Sequence, residues 1–86
     1  MRNRSRDDMI ALILQAAVEK ETRTKIMYKT YLSYRQLKEY LLLLLENELI
    51  DYKKGEMSYR TTEKGRHLLE IYNHLSEMVA PKKQNE

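Results

Sequence analysis

Cysteine is absent from this chain of 86 residues, and so are tryptophan and phenylalanine. Without cysteine there is neither a disulfide framework nor a thiolate metal site, so the fold must stand on its hydrophobic core. Glycine occurs twice and proline once, which leaves no glycine-rich loop to cradle a phosphate. Long apolar runs are missing too. The densest, Leu41 to Leu45, is five residues, where a membrane span needs about twenty. Met1 to Asp8 is polar and has no signal-peptide pattern. The expectation is a soluble, cytoplasmic protein that does not meet a membrane.

Catalytic groups are equally scarce. His67 and His74 lie about 10.5 Å apart along a helix axis, too far for one metal ion. No paired carboxylates flank a plausible pocket, and no serine or histidine has the setting of a catalytic triad. A chain this short forms one domain with little room for a cleft beside its core. No enzyme activity, metal, cofactor or small-molecule ligand is expected.

Charge is present in quantity and is unevenly placed. Charged residues make up 34% of the chain, yet the net charge is only +3. Lys20, Arg23, Lys25, Lys29, Arg35 and Lys38 face a single acid in their segment, Glu21. Glu39 to Asp51 holds acids and no base. Lys53, Lys54, Arg60, Lys64 and Arg66 then outnumber Glu56 and Glu63. This pattern suits a polyanionic partner, although solvated charge on surface helices can look the same.

Local signals give the order of elements. Arg2, Arg4 and Arg6 suggest a disordered basic arm over residues 1–7. Ser5 with Asp8 can cap a first helix, in which Met9, Leu12, Ile13, Ala16 and Ala17 keep helical spacing. Thr22 or Thr24 can cap a short second helix carrying Ile26, Met27 and Thr30. After Tyr31-Leu32-Ser33, the Ser33/Gln36 pair forms a capping box that starts a third helix at Tyr34. Leu37, Leu41 and Leu44 put one stripe inward and leave Tyr34, Arg35, Lys38 and Glu39 outward on the first turns. A short connection between steeply crossing helices reads as a helix-turn-helix, whose second helix meets base edges with those turns.

The period then changes. Ile50 and Tyr52 alternate with polar neighbours, Lys54-Gly55-Glu56 reads as a turn, and Met57, Tyr59 and Thr61 alternate again, giving a two-stranded hairpin. Thr62 caps a last helix over residues 63–79, and a disordered tail is expected at 80–86. The fold class is mainly α with a small β-hairpin. It is a winged helix-turn-helix over residues 8–62, with three helices and a two-stranded wing, followed by a C-terminal helix. With no other aromatic type available, most of the seven tyrosines are expected in the core.

Thr24-Lys25-Ile26-Met27-Tyr28-Lys29, Leu32-Ser33-Tyr34, Gln36-Leu37-Lys38, Tyr40-Leu41, Leu49-Ile50 and Tyr59-Arg60-Thr61-Thr62-Glu63-Lys64-Gly65 resemble the archaeal winged-helix domain of small predicted transcriptional regulators. That domain is similar to archaeal chromatin proteins that dimerise through a C-terminal coiled coil. The resemblance implies binding of double-stranded DNA by a nucleoid-associated protein. It implies that Ser33 caps the recognition helix, that Tyr34, Arg35 and Lys38 reach the groove, and that Lys25 and Lys29 lie near the backbone. Lys53, Lys54 and Arg60 on the wing would reach a neighbouring phosphate or the minor groove. Glu48 stands where such domains often carry glycine, which moves the left-handed turn to Asn47.

Three functional classes stay open: a sequence-selective regulator, a low-selectivity architectural chromatin protein, and a winged-helix protein-interaction module. A homodimer is also expected. Leu42, Leu43 and Leu45 need cover beyond a three-helix core. The last helix, about 24 Å long, has one stripe of Leu68, Ile71, Leu75 and Met78 and another of Leu69, Tyr72 and Val79. The second stripe is assigned to the dimer contact, with a monomer in which helices one and three sandwich the last helix as the alternative.

Overall fold

Hydrogen bonds between near neighbours in sequence start and stop most of the helices. In the computed structural model, which describes residues 4–79, helix α1 spans Arg6–Ala16. Its capping box is formed: Asp8 N donates to Ser5 Oγ at 3.0 Å and Ser5 N to Asp8 Oδ2 at 3.2 Å. The expected tail at 80–86, the first three residues of the arm and the side chain of Val79 lie outside the described residues. The rest of the arm is not free chain. The helix begins at Arg6, and Arg4 Nη2 donates to Thr30 O at 2.8 Å.

Strand β1 (Glu21–Thr22) leads directly into α2 (Arg23–Thr30), with Thr22 as its N-cap. Tyr31 then reverses the chain in the left-handed region at φ 60°. Helix α3 (Tyr34–Glu46) starts on the Ser33/Gln36 capping box, with hydrogen bonds of 3.1 and 3.2 Å. A cap of this kind contributes about 1 kcal/mol. At the other end, Leu49 N donates to Leu44 O and Glu48 N to Leu45 O, a Schellman closure. The left-handed residue is therefore Glu48 at φ 59°, a correction to the assignment of Asn47. Asn47 stays at φ −94°, with its Nδ2 donating to Leu43 O at 2.8 Å.

Strands β2 (Ile50–Lys53) and β3 (Ser58–Thr61) form the wing, joined by a 3₁₀ turn at Lys54–Glu56. Two more expectations need correction. Met57 is left-handed at φ 50°, so it ends the turn and is exposed, and β3 starts one residue later. The sheet also has three strands, in the antiparallel order β1-β3-β2. Glu21 lies opposite Tyr59 and Thr22 opposite Ser58. A two-residue strand has no period to read, and only its pairing with β3 defines it.

Helix α4 (Glu63–Val79) completes the fold and packs against α1 and β3. The core is aliphatic: Ile13, Leu14, Ile26, Leu37, Leu44 and Ile50 are all at or below 1% exposure. None of the seven tyrosines is buried, contrary to expectation, and Tyr28 and Tyr31 are 78% and 84% exposed. Aliphatic side chains fill most of the interior, where a tyrosine hydroxyl would have to find a partner, and the buried hydroxyls among the described residues are those of Thr30, Ser58 and Thr61. Of the leucine run, Leu41 and Leu44 are buried, Leu43 and Leu45 half-buried and Leu42 exposed.

The last helix turns inward Leu69 and Tyr72, two residues that were expected to face a partner. Leu69 is only 7% exposed and belongs to the core, and Tyr72 packs against it with its hydroxyl hydrogen-bonded to Asp8. That bond, with burial second, raises the Tyr72 pKa above the usual phenol value. Leu69 is thus an internal packing residue and is not available as a dimer contact. Leu68, Ile71, Leu75 and Met78 are the exposed stripe.

Gly65 sets how close α4 comes to the rest. A Cβ at this position would lie 2.1 Å from Leu49 O and 2.7 Å from Thr61 Cγ2. A helical Gly→Ala change ordinarily gains about 1 kcal/mol of helix propensity. Here forced separation of packed backbone costs roughly 1–3 kcal/mol and outweighs that gain. At Gly55 a Cβ would meet nothing within 4 Å, and the backbone φ is not positive. Gly65→Ala should therefore lower the urea midpoint, whereas Gly55→Ala should leave it unchanged or raise it by the equivalent of about 0.4–1 kcal/mol. Equal midpoints for the two variants would contradict this packing account.

Candidate nucleic-acid interface

The first turns of α3 present their polar face to solvent. Tyr34, Arg35, Gln36, Lys38 and Glu39 are all exposed, while Leu37 between them is fully buried. The reciprocal Ser33/Gln36 bonds fix where the helix begins and so fix the direction of these side chains. Gln36 N is satisfied by Ser33 Oγ. The amides of Tyr34 and Arg35 at the positive end of the helix are then those that face outward.

Helix α2 carries Lys25 and Lys29. Both are exposed, and Lys29 Nζ pairs with Glu21 Oε2 at 3.1 Å. The hydrogen bond from Lys29, helped by the charge of Lys25, holds the Glu21 carboxyl below the usual range. Lys29 is thus partly committed to its own domain, and Lys25 is the freer of the two.

Lys53, Lys54 and Arg60 are exposed on the wing. Arg60 lies opposite Asp51 and Tyr52 opposite Tyr59. Alternation along the strands therefore puts Lys53 and Arg60 on one face and the two tyrosines on the other. The tyrosine rings lie 4.9 Å apart between centroids, tilted by 48°. Burial, then the neighbouring Tyr52, raises the Tyr59 pKa, while Arg23 opposes the rise. The tyrosine face of the wing thus turns toward α2 and the start of α3.

Arg23 is the residue beside this candidate surface that sequence spacing did not single out. It is the first residue of α2, and its guanidinium carbon sits 4.6 Å from the centroid of the Tyr34 ring. Its place in a basic segment was visible, but the stack joins two elements and has no local signature. Lys64 is the reverse case, a lysine in a basic segment whose Nζ donates to Asn47 O at 2.9 Å and closes the end of α3.

One further ion pair ties the wing to the turn before β1. Lys20 Nζ meets Glu56 Oε1 at 2.7 Å, and both groups remain solvent-exposed. The Lys20 hydrogen bond and charge hold the Glu56 carboxyl below its usual value. With the folded value depressed, the pair's contribution is present above the ordinary glutamate pKa of about 4.3. It is lost as pH falls through the lower, folded value. In Lys20→Asn, which still tolerates the left-handed backbone at this position (φ 57°), the Glu56 carboxyl should titrate at higher pH than in the unaltered protein. A carbon-detected NMR titration giving the same midpoint in both would rule out the tie.

The described residues contain no cluster of metal-ligating side chains and no helix long and apolar enough to cross a membrane. Comparison with known proteins agrees with the geometry. A family described as winged helix-turn-helix matches residues 3–80. A protein of Methanocaldococcus jannaschii, itself uncharacterised, is 38% identical over 72 residues, which is 83% of this chain and 33% of that protein. The chain thus spans about a third of the length of this archaeal relative. A basic helix-turn-helix, a three-stranded wing and a match over nearly the whole sequence place it: the chain belongs to the winged helix-turn-helix family.

Proposed function

We propose that the protein binds double-stranded DNA as a transcriptional regulator, with the start of α3 in the major groove and the wing against the backbone. The observation that carries this reading is the capped, outward-facing first turn of α3. There Tyr34, Arg35 and Lys38 stand exposed, with further exposed cations on α2 and on the wing. Arg35 is suited to two-pronged recognition of a guanine edge, Lys38 to a groove contact one turn on, and Tyr34 to a contact at the helix start. Lys25, Lys29, Lys53, Lys54 and Arg60 serve the sugar-phosphate backbone, which positions the protein and carries no sequence information. The nucleoid is the compartment this activity requires.

The test is affinity for random duplex and for genomic fragments at two salt concentrations. A large specificity ratio supports the regulator. A steep salt slope without sequence preference would make the protein an architectural DNA coat, and absence of binding would leave a protein-docking module. Arg35→Ala should weaken specific binding by about 1–3 kcal/mol. Lys54→Ala should cost less and reduce the salt slope by about 1. Wild-type affinity in an Arg35→Ala/Lys38→Ala double variant would overturn the placement of α3.

The regulator is further proposed to act as a homodimer, through the exposed stripe of α4. From Asn73 to Met78 every α4 side chain is exposed. A short helical overhang of this kind is marginal in water unless its apolar face is covered. Leu68, Ile71 and Leu75 also border a groove of about 220 Å³ against Ile10 and Leu14 of α1. A second copy would continue that apolar surface across a twofold axis and set two α3 helices on one duplex, favouring palindromic sites. Sedimentation at micromolar concentration should give twice the 10.4 kDa chain mass. Ile71→Glu/Leu75→Glu should return it to the monomer without unfolding the domain. A monomer in the unaltered protein would defeat the dimer.

A further inference from the structure

We propose that Arg23, stacked on the Tyr34 ring between the recognition helix and the wing, grips a DNA phosphate, and that Tyr34 positions it. This rests on the DNA-binding reading above.

Three observations carry it. The guanidinium carbon lies over the Tyr34 ring, 4.6 Å from its centroid, a cation–π contact. A planar guanidinium stacked on its face keeps its N–H edge free to donate in its own plane, the geometry that fits two phosphate oxygens. A guanidinium has five N–H donors, so contact with one ring leaves donors for a phosphate.

The nearby acids are answered by other cations. Glu21 is paired with Lys29 and influenced by Lys25. Glu56, which borders the same depression as Arg23, Tyr52 and Tyr59, is held by Lys20, with Lys53 and Arg60 acting at longer range. Among the described residues, no carboxylate forms an ion pair with Arg23.

Position is the third observation. Arg23 opens α2, Tyr34 opens α3, and both act on the hydroxyl of Tyr59 in β3. Arg23 thus stands where the two helices and the wing meet. A strand of DNA backbone following α3 toward the wing would cross this junction. Tyr34 limits the rotamers of a long, flexible side chain before DNA arrives, so less freedom is lost on binding.

The experiment is fluorescence anisotropy with a short random duplex, titrated between about 50 and 200 mM salt. Arg23→Gln should lower affinity on the order of tenfold and flatten the log–log salt slope by about 0.9. Arg23→Lys should keep the slope and lose a few-fold in affinity, because an ammonium cannot stack as a fork. Tyr34→Leu should cost more in the unaltered protein than in the Arg23→Gln background. Thermal unfolding of each variant reports whether the fold is intact.

If the unaltered protein binds duplex and Arg23→Gln binds it with the same affinity and slope, the inference is overturned while the DNA-binding reading stands. A lower affinity with an unchanged slope also overturns it, because only a structural role would leave the charge count untouched. Failure of the unaltered protein to bind any duplex would remove the DNA-binding reading, and this inference with it.

Discussion

The arrangement of helices and wing depends on the five residues from Thr61 to Gly65, which fasten the ends of two helices. Thr61 donates through its amide to Ala17 O and through its hydroxyl to Leu14 O, at 3.0 and 2.6 Å. Both acceptors lie at the end of α1, where carbonyls have no partner within the helix. Thr62 does the same just beyond α3, through its amide to Leu49 O and its hydroxyl to Glu48 O. Lys64 reaches Asn47 O, and Thr62 Oγ1 also accepts from Gly65 N to start α4. Gly65 lets α4 lie against Leu49 closely enough for these bonds to form together. A threonine-rich segment that reads as a helix cap is therefore also the tie between α1, the turn after α3, and the wing.

Sharp reversals without glycine are the second constraint. Lys20, Tyr31, Glu48 and Met57 all take left-handed backbone, and neither glycine does. Each such residue costs on the order of 1–3 kcal/mol and persists only where its surroundings over-determine it. At Lys20 the ion pair to Glu56 joins the turn to the wing, and at Glu48 the Schellman bonds enclose it. At Tyr31 the reversal brings α2 to the start of α3 and leaves the ring in solvent. The first turn of α3, the α2 cations and the wing are thus held by short connections with little freedom. Exposed side chains spread over three elements keep a fixed mutual geometry only in such a frame.

The helix starts and the buried leucine stripe were legible from residues alone. The bonds of Ser5 with Asp8 and of Ser33 with Gln36 form within three residues. Leu37, Leu41 and Leu44 recur at the helical period and are all buried. The outward set of Tyr34, Arg35 and Lys38 follows from the same stripe, because burying one face of a helix exposes the other. Interactions that span one helical turn are encoded where they act, so a sequence reader can find them.

Other features depended on contacts between residues remote in the chain. Strand β1 exists because Glu21 and Thr22 pair with Tyr59 and Ser58. Both stripes of α4 are apolar, and only the fit of Gly65, Leu69 and Tyr72 against the domain decided which one turned inward. Composition placed tyrosine in the core, but aliphatic side chains filled that volume and left the rings near the surface. Arg23 meets Tyr34 only after the turn at Tyr31 folds α2 back to α3. The sequence by itself determined where the four helices and the two strands of the hairpin lie and which face of α3 is wet, because those depend on local periodicity and capping. Tertiary structure alone decided which apolar stripe is core, which strand joins the wing and which cation packs on the start of α3, because each is a choice between locally equivalent surfaces that only close packing can make.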